Sequence, residues 1–334
     1  MATLAEQFKK ALTNIEPDAD ADSAKKAHEE VRKVLVEDSK LKGWGINPLL
    51  IGSYAREVSI LRVKDVDLFG RLESPPEDLR PGAALDEFER VLLEAFPKRV
   101  EKQHRSFKVD FPNFGLSVDA VPARVYGDHW EIPSRPDARA KWIETNPIKL
   151  GDITTSMNQN PQFQFAGKGI YVPIVKLVRQ VRRAQLAEDP PGGLFFEILS
   201  YWVFKNDMTS QKTVAGYLSK TIRGISTLLE DVVDNGLCDP TLEGKLITTK
   251  ADEADLKVAA DVFLDAAELA ENACDETDEC KSANMWAKLL GKNDNGEVFE
   301  LPEHCAGNES KQTSKEQLRT PGSNRVPAGT DRFA

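Results

Sequence analysis

Strand-like text is confined to one stretch of this chain, and that segregation limits the folds open to it. Between about residues 46 and 133 the apolar runs PLLIGS, DVDLFGRL, SFKVDF and GLSVDAVPARVY are short and broken by polar or glycine-containing links, as strands are. Leu85, Phe88, Val91, Leu92 and Phe96 recur among them at helical spacing. After about residue 165 the strands vanish. KGIYVPIVKLVRQVRRAQLAE, GLFFEILSYWVFKN, TVAGYLSKTIRGISTLLEDVVD, ADLKVAADVFLDAAELAENA and KSANMWAKLLG all read as helices, separated by Pro, Gly or Asp-rich breaks. Residues 3 to about 41 read as helix too, divided near Pro17, with Gly43 placed to close the second piece. Strands followed by a run of helices predict an α+β protein rather than interleaved βαβ units.

The chain has 334 residues, enough for two domain-sized cores, and its formal charge of -10 repels a phosphate backbone. Long nucleic acid is therefore not expected as a substrate. No apolar run approaches bilayer-spanning length and the amphipathic start contains acids, so the expectation is a cytoplasmic protein without a membrane partner. Cys238, Cys274, Cys280 and Cys305 are scattered, with no CxxC pair and no histidine at zinc spacing, which suggests reduced thiols. His28, His104, His129 and His304 show no mutual spacing for a metal site or a triad. The acidic CDETDEC lacks calcium-loop spacing and reads as a solvated turn.

Chemistry concentrates in IGSYAREVSILRVKDVDLF, Ile51 to Phe69. On a strand, alternation sends Asp65 and Asp67 to one face while Val66 and Leu68 turn to the core. Two adjacent carboxylates repel unless a cation neutralises them, and oxygen-only ligands suit Mg²⁺ or Mn²⁺. DxD alone occurs by chance, so a solvated strand end is the plainer reading of the pair. Two neighbours argue against it. Gly52-Ser53 follows the apolar LLI and fits a strand turning into a helix, with N–H groups and a hydroxyl aimed at phosphate oxygens. In LSVDAVPA, Leu116, Val118 and Ala120 share one strand face and Asp119 takes the other, delivering a third carboxylate. Such a set is what two-metal phosphoryl transfer needs.

Gly52-Ser53, eleven residues, Asp65-Val66-Asp67 and a later Asp119 resemble the signature of the DNA polymerase β-type nucleotidyltransferases. Within that superfamily the chain most resembles the bacterial CD-NTases, relatives of cyclic GMP-AMP synthase and oligoadenylate synthetase. VDAVPA, WIETNP at Trp142–Pro147, PIVKLVR at Pro173–Arg179, Glu197 and MWAKLLG extend the resemblance over about residues 1 to 302. It implies a mixed-sheet nucleotidyltransferase lobe with N-terminal helices (1–165), a helical lobe (166–302) and a nucleotide cleft between them. It also implies nucleoside triphosphates, ATP among them, Mg²⁺ as cofactor, and a cyclic or linear oligonucleotide messenger made in anti-phage defence. Asp65 and Asp67 match the paired metal ligands, Asp119 the third carboxylate, and Gly52 and Ser53 the triphosphate loop.

A basic residue on the first long helix of the second lobe reaches the phosphates in relatives. Lys176 and Arg179 share a helix face, so either matches; a solvated basic stripe with Arg182 and Arg183 is the alternative. Gly193 and Leu194 stand where many relatives carry a serine and a stacking aromatic. Backbone N–H groups at Gly192-Gly193 could replace the hydroxyl, and Tyr201 or Trp202 the platform, although on an apolar helix both aromatics are more often core. Glu197 is expected to orient contacts between the lobes.

Two other functions fit the motif: transfer of a single nucleotide to a protein, antibiotic or RNA end, and nucleotide binding without catalysis. The complete carboxylate set argues against the second. Residues 303–334 carry only Leu318, Val326 and Phe333 as larger apolar side chains and are expected to be disordered. Some CD-NTases end in a flexible tail joined to other molecules by E1/E2-like proteins. VPAGTDRFA resembles such an end, which implies Ala334 as an attachment point.

Overall fold

In the computed structural model, which describes residues 4–134 and 141–305, the strand-like stretch forms one seven-stranded mixed sheet. Three helices precede it: α1 (Ala5–Asn14), α2 (Asp18–Glu37) and α3 (Ser39–Gly43). The expected second helix is thus interrupted. Asp38 leaves the helical conformation, and its carboxylate accepts from the Lys40 and Leu41 N–H groups at 2.9 and 2.8 Å, starting α3. Then come β1 (Ile46–Ile51), the four-residue α4 (Gly52–Ala55), β2 (Asp65–Leu72) and α5 (Pro81–Ala95). β3 (Val100–Lys102), β4 (Phe107–Phe111), β5 (Leu116–Tyr126), β6 (His129–Ser134) and β7 (Lys141–Thr145) complete the sheet.

The order is β1-β2-β5-β4-β3, with β6 on β5 and β7 on β6; only β2 and β5 run parallel. Val66 and Leu68 of β2, Val118 and Ala120 of β5, and Phe107 and Val109 of β4 meet the apolar faces of α2 and α5 in one core. That burial fixes the register, because a one-residue slip would turn those side chains out and the aspartates in.

α6 (Pro147–Gln159) and a small hairpin of β8 (Gln164–Phe165) and β9 (Lys168–Gly169) lead to the helices. These are α7 (Tyr171–Leu186), α8 (Gly193–Asn206), α9 (Val214–Asn235), α10 (Glu253–Asp275) and α11 (Glu279–Leu290). A last hairpin, β10 (Lys292–Asn293) with β11 (Gly296–Glu297), follows, so strands do not vanish entirely after residue 165. None of the described helices is long and apolar enough to cross a membrane.

The helical core departs from the expected boundary at its N-terminal side. Leu4, Phe8, Ala11 and Ile15 are buried in it, with Val58 and Ile60, and Phe8 meets Trp286 and Phe299 edge-on at ring separations of 5.0 Å each. α1 therefore packs with the helices, not with the sheet lobe to which its sequence position assigned it.

The cysteines also differ from expectation. Cys280 and Cys305 form a disulfide, while Cys238 and Cys274 are free. The bond closes because Glu303–Cys305 form a short 3₁₀ turn against the start of α11, with Cys305 buried. Residues 303–305 are thus ordered; 306–334, including Ala334, lie outside the described residues. CDETDEC is the expected turn, running from the end of α10 into α11.

Candidate active site

The parallel register places the three aspartates. Asp67 lies opposite Asp119 and Asp65 opposite Ser117, so carboxylates from adjacent strands share one row of the sheet. Asp65 and Asp67 are half-buried between the fully buried Val66 and Leu68; Asp119 is 3% exposed. On its other side Asp67 pairs with Ile51, the last residue of β1.

Gly52 begins the turn at that point with φ +79°, and a Cβ there would fall 1.8 Å from Asp67 Oδ2. Only glycine lets the backbone approach that carboxylate so closely. Ser53 follows in α4, its carbonyl accepting from the Val58 and Ser59 N–H groups at 3.0 and 3.2 Å and its Oγ accepting from Ser59 Oγ at 3.2 Å. The first N–H groups of so short a helix have no intrahelical partners. An oxygen-only donor set beside the start of a helix suits a hard divalent cation holding a phosphate, so the residues fit such an ion.

Arg56, one turn beyond the Gly-Ser pair, is a residue the sequence reading did not single out. Its Nε and Nη2 donate to the two carboxylate oxygens of Glu197 on α8 at 2.6 and 3.0 Å, with the side chains 6% and 1% exposed. Glu197 thus joins the lobes. Burial alone would depress the Arg56 pKa, but Glu197, followed by Asp67 and Tyr171, more than reverses this and raises it. Tyr171, fully enclosed, is held well above its ordinary pKa by burial and by Glu197. A basic residue one helical turn after Gly-Ser was the available signal for Arg56; Tyr171 looks like any apolar helix start.

Arg179 also faces Glu197, Nη1 to Oε2 3.7 Å. Burial lowers its pKa to about 10, Glu197 pulls it back up, and Arg56, Arg183 and Arg182 add to the depression. Its Nε is buried without a hydrogen-bond partner. A Cβ on Gly193 would lie 2.9 Å from the Arg179 guanidinium carbon, so the absent serine makes room for this cation. Lys176 instead donates to both oxygens of Glu16 at 2.7 Å.

The solvated basic stripe is not found. Arg183 donates to the Leu61 carbonyl at 2.6 Å, and Arg182 to the carbonyls of Pro191, Ala187 and Asp189. Tyr201 is buried in the helical core, and Trp202 Nε1 donates to the Cys238 carbonyl at 3.0 Å.

Residues 1–158 match the family described as the Second Messenger Oligonucleotide or Dinucleotide Synthetase domain. The chain is 25% identical over 303 residues to an Acinetobacter protein named cyclic AMP-AMP-AMP synthase, covering 86% of this chain and 84% of that one. Among solved structures it is similar to Escherichia coli CdnC with ATP, TM-score 0.64 at 17% identity, over 89% of this chain and 98% of the other. It is similar also to Bradyrhizobium diazoefficiens CdnG in complex with GTP, TM-score 0.65 at 17% identity, over 85% and 97%. With its aspartates and Gly-Ser turn arranged as described, the first 158 residues match the second-messenger synthetase domain, and the chain as a whole shares the fold of the bacterial CD-NTase structures.

Proposed function

We propose that the chain joins nucleoside triphosphates, ATP among them, into a cyclic oligonucleotide second messenger for CBASS-type anti-phage signalling. The observation that carries this reading is the in-register row of Asp65, Asp67 and Asp119 beside the Gly52 turn. The Acinetobacter relative's name supports ATP as a substrate.

Two Mg²⁺ ions, with Mn²⁺ as the alternative, would be held by Asp65, Asp67 and Asp119; they supply neutralisation of triphosphate charge and a lowered hydroxyl pKa. Asp119 faces the attacking ribose hydroxyl and takes its proton as the oxygen bonds to the α-phosphorus. The bond from that phosphorus to the bridging oxygen breaks, and pyrophosphate leaves with the bonding pair. Gly52 and Ser53 hold the departing phosphates through N–H groups and the hydroxyl. Arg179 is the better placed of the two cations for a phosphate, because one of its buried donors is unused while Lys176 is engaged by Glu16. Gly193 gives it space. Repetition of the transfer, ending on the molecule's own free hydroxyl, closes the ring.

The lobes, 1–165 and 166–302, belong to this reading, amended by α1 and by residues 303–305, which the disulfide joins to α11. Conjugation of Ala334 by E1/E2-like proteins is a finer proposal that rests on the resemblance of VPAGTDRFA. Co-expression with neighbouring genes and intact-mass analysis of full-length chain beside one ending at Thr330 tests it.

The product decides between this function and single-nucleotide transfer. The protein is incubated with each labelled triphosphate, treated with phosphatase and the survivors mass-analysed. A ring has no terminal phosphomonoester, so the main product should survive, and Asp119→Ala should abolish it. Products that all carry phosphatase-sensitive ends, or nucleotide found on a protein or drug acceptor, would establish the other reading.

A further inference from the structure

Far along the chain from the aspartates, the described residues contain one compact group of sulfur and nitrogen donors. Cys280, His304 and Cys305 each offer a ligand atom, and these atoms lie within 4.8 Å of one another. Glu279 joins them, its Oε2 3.8 Å from His304 Nε2. Two adjacent pairs, Glu279-Cys280 at the start of α11 and His304-Cys305 in the terminal turn, thus converge. A disulfide uses only the two sulfurs and accounts for neither partner. His304 is 62% exposed at its side chain, so packing does not explain its position either.

We propose that this cluster is a zinc site: when the Cys280–Cys305 bond is reduced, the two thiolates, one ring nitrogen of His304 and the Glu279 carboxylate bind Zn²⁺. The mixture of thiolate, imidazole and carboxylate is the donor chemistry zinc takes. Tetrahedral bonds of roughly 2.0–2.3 Å set ligand atoms about 3.3–3.8 Å apart, so binding requires the sulfurs to part and the exposed His304 and Glu279 side chains to close in on them. Reduction is a two-electron step. A dithiol reductant supplies two electrons and two protons, becoming a disulfide itself, and the resulting thiols release their protons as zinc binds. Cys305 is 4% exposed, so one side of the site is closed to solvent, while exposed His304 and Glu279 leave an entry path. The ion would fasten the last described residues to the helical lobe as the disulfide does, but in a reducing compartment.

The test uses the full chain, purified with a phosphine reductant and without metal chelators. Zinc content is read by mass spectrometry, affinity by competition with a chromogenic chelator, and ligand type by the thiolate charge-transfer absorption of the Co²⁺-substituted protein. Wild type should hold about one zinc per chain with a thiolate–cobalt band. His304→Ala, which removes an exposed side chain and should fold normally, should bind about tenfold or more weakly. Cys280→Ser with Cys305→Ser should lose the band, and Cys274→Ser should retain both zinc and band. Reduced wild type that holds no more zinc than the double variant, or His304→Ala that binds as tightly as wild type, would overturn the proposal.

Discussion

Gly52 and Asp67 are locked together across the β1–β2 pair: a single methyl group on the glycine would fall 1.8 Å from the aspartate's Oδ2. Gly52→Ala must therefore move the carboxylate, the turn, or both, and it also places a side chain at φ +79°, which costs about 1–2 kcal/mol. Misplacement of a reacting group by about 1 Å lowers rates by roughly 100-fold. Pyrophosphate release should fall by about that factor while urea unfolding shows only the modest backbone cost.

Asp65→Asn together with Asp67→Asn removes the charge that would hold the ions but relieves repulsion when they are absent. Turnover should drop by about a thousandfold or more, equivalent to several kcal/mol of transition-state stabilisation. The melting temperature in metal-free buffer should stay level or rise. Undiminished turnover in a folded double variant would contradict a two-metal role for the pair.

Glu197 holds two buried arginines, so its removal is more serious than the loss of one pair. Glu197→Gln leaves Arg56 and Arg179 without their common counter-charge. Breaking a buried pair in this way costs about 3–5 kcal/mol, read as a lower urea midpoint with an unchanged slope. Arg56→Met combined with Glu197→Met should recover only the share owed to Arg56, because Arg179 still lacks its counter-charge, and should not restore activity.

His28 supplies a pH signature in the sheet lobe. Burial holds its pKa below the ordinary 6.5, Glu29 pulling it partly back and Arg32 pushing it down. As pH falls below about 6.5 the unfolded chain takes up the proton before the folded one, so stability declines until the folded imidazole titrates. His28→Asn should flatten urea midpoints measured between pH 7.5 and 5.5, whereas wild type should slope downward toward acid.

Much of the site was legible because strand alternation and short-range spacing encode it. DVDLFGRL is β2 from end to end, and the aspartates point away from Val66 and Leu68 as alternation requires. Long-range pairing was not legible. Nothing in the periodicity of α1 says whether its apolar face meets the sheet or the helices, and nothing in Cys280 announces a partner 25 residues on. Likewise a basic stripe on α7 reads identically whether its cations meet water or, as here, carboxylates and carbonyls of other elements.

The packing of α1 also bears on how the molecule comes apart. Asn14 Nδ2 donates to the Val298 carbonyl, Leu61 N–H to the Ile15 carbonyl, and Val58 and Ile60 lie in the helical core before the chain returns to the sheet at Asp65. The polypeptide therefore passes between the two cores repeatedly rather than through one linker. Neither core is a contiguous segment that can be excised or unfold alone, and heating should melt both in a single cooperative transition.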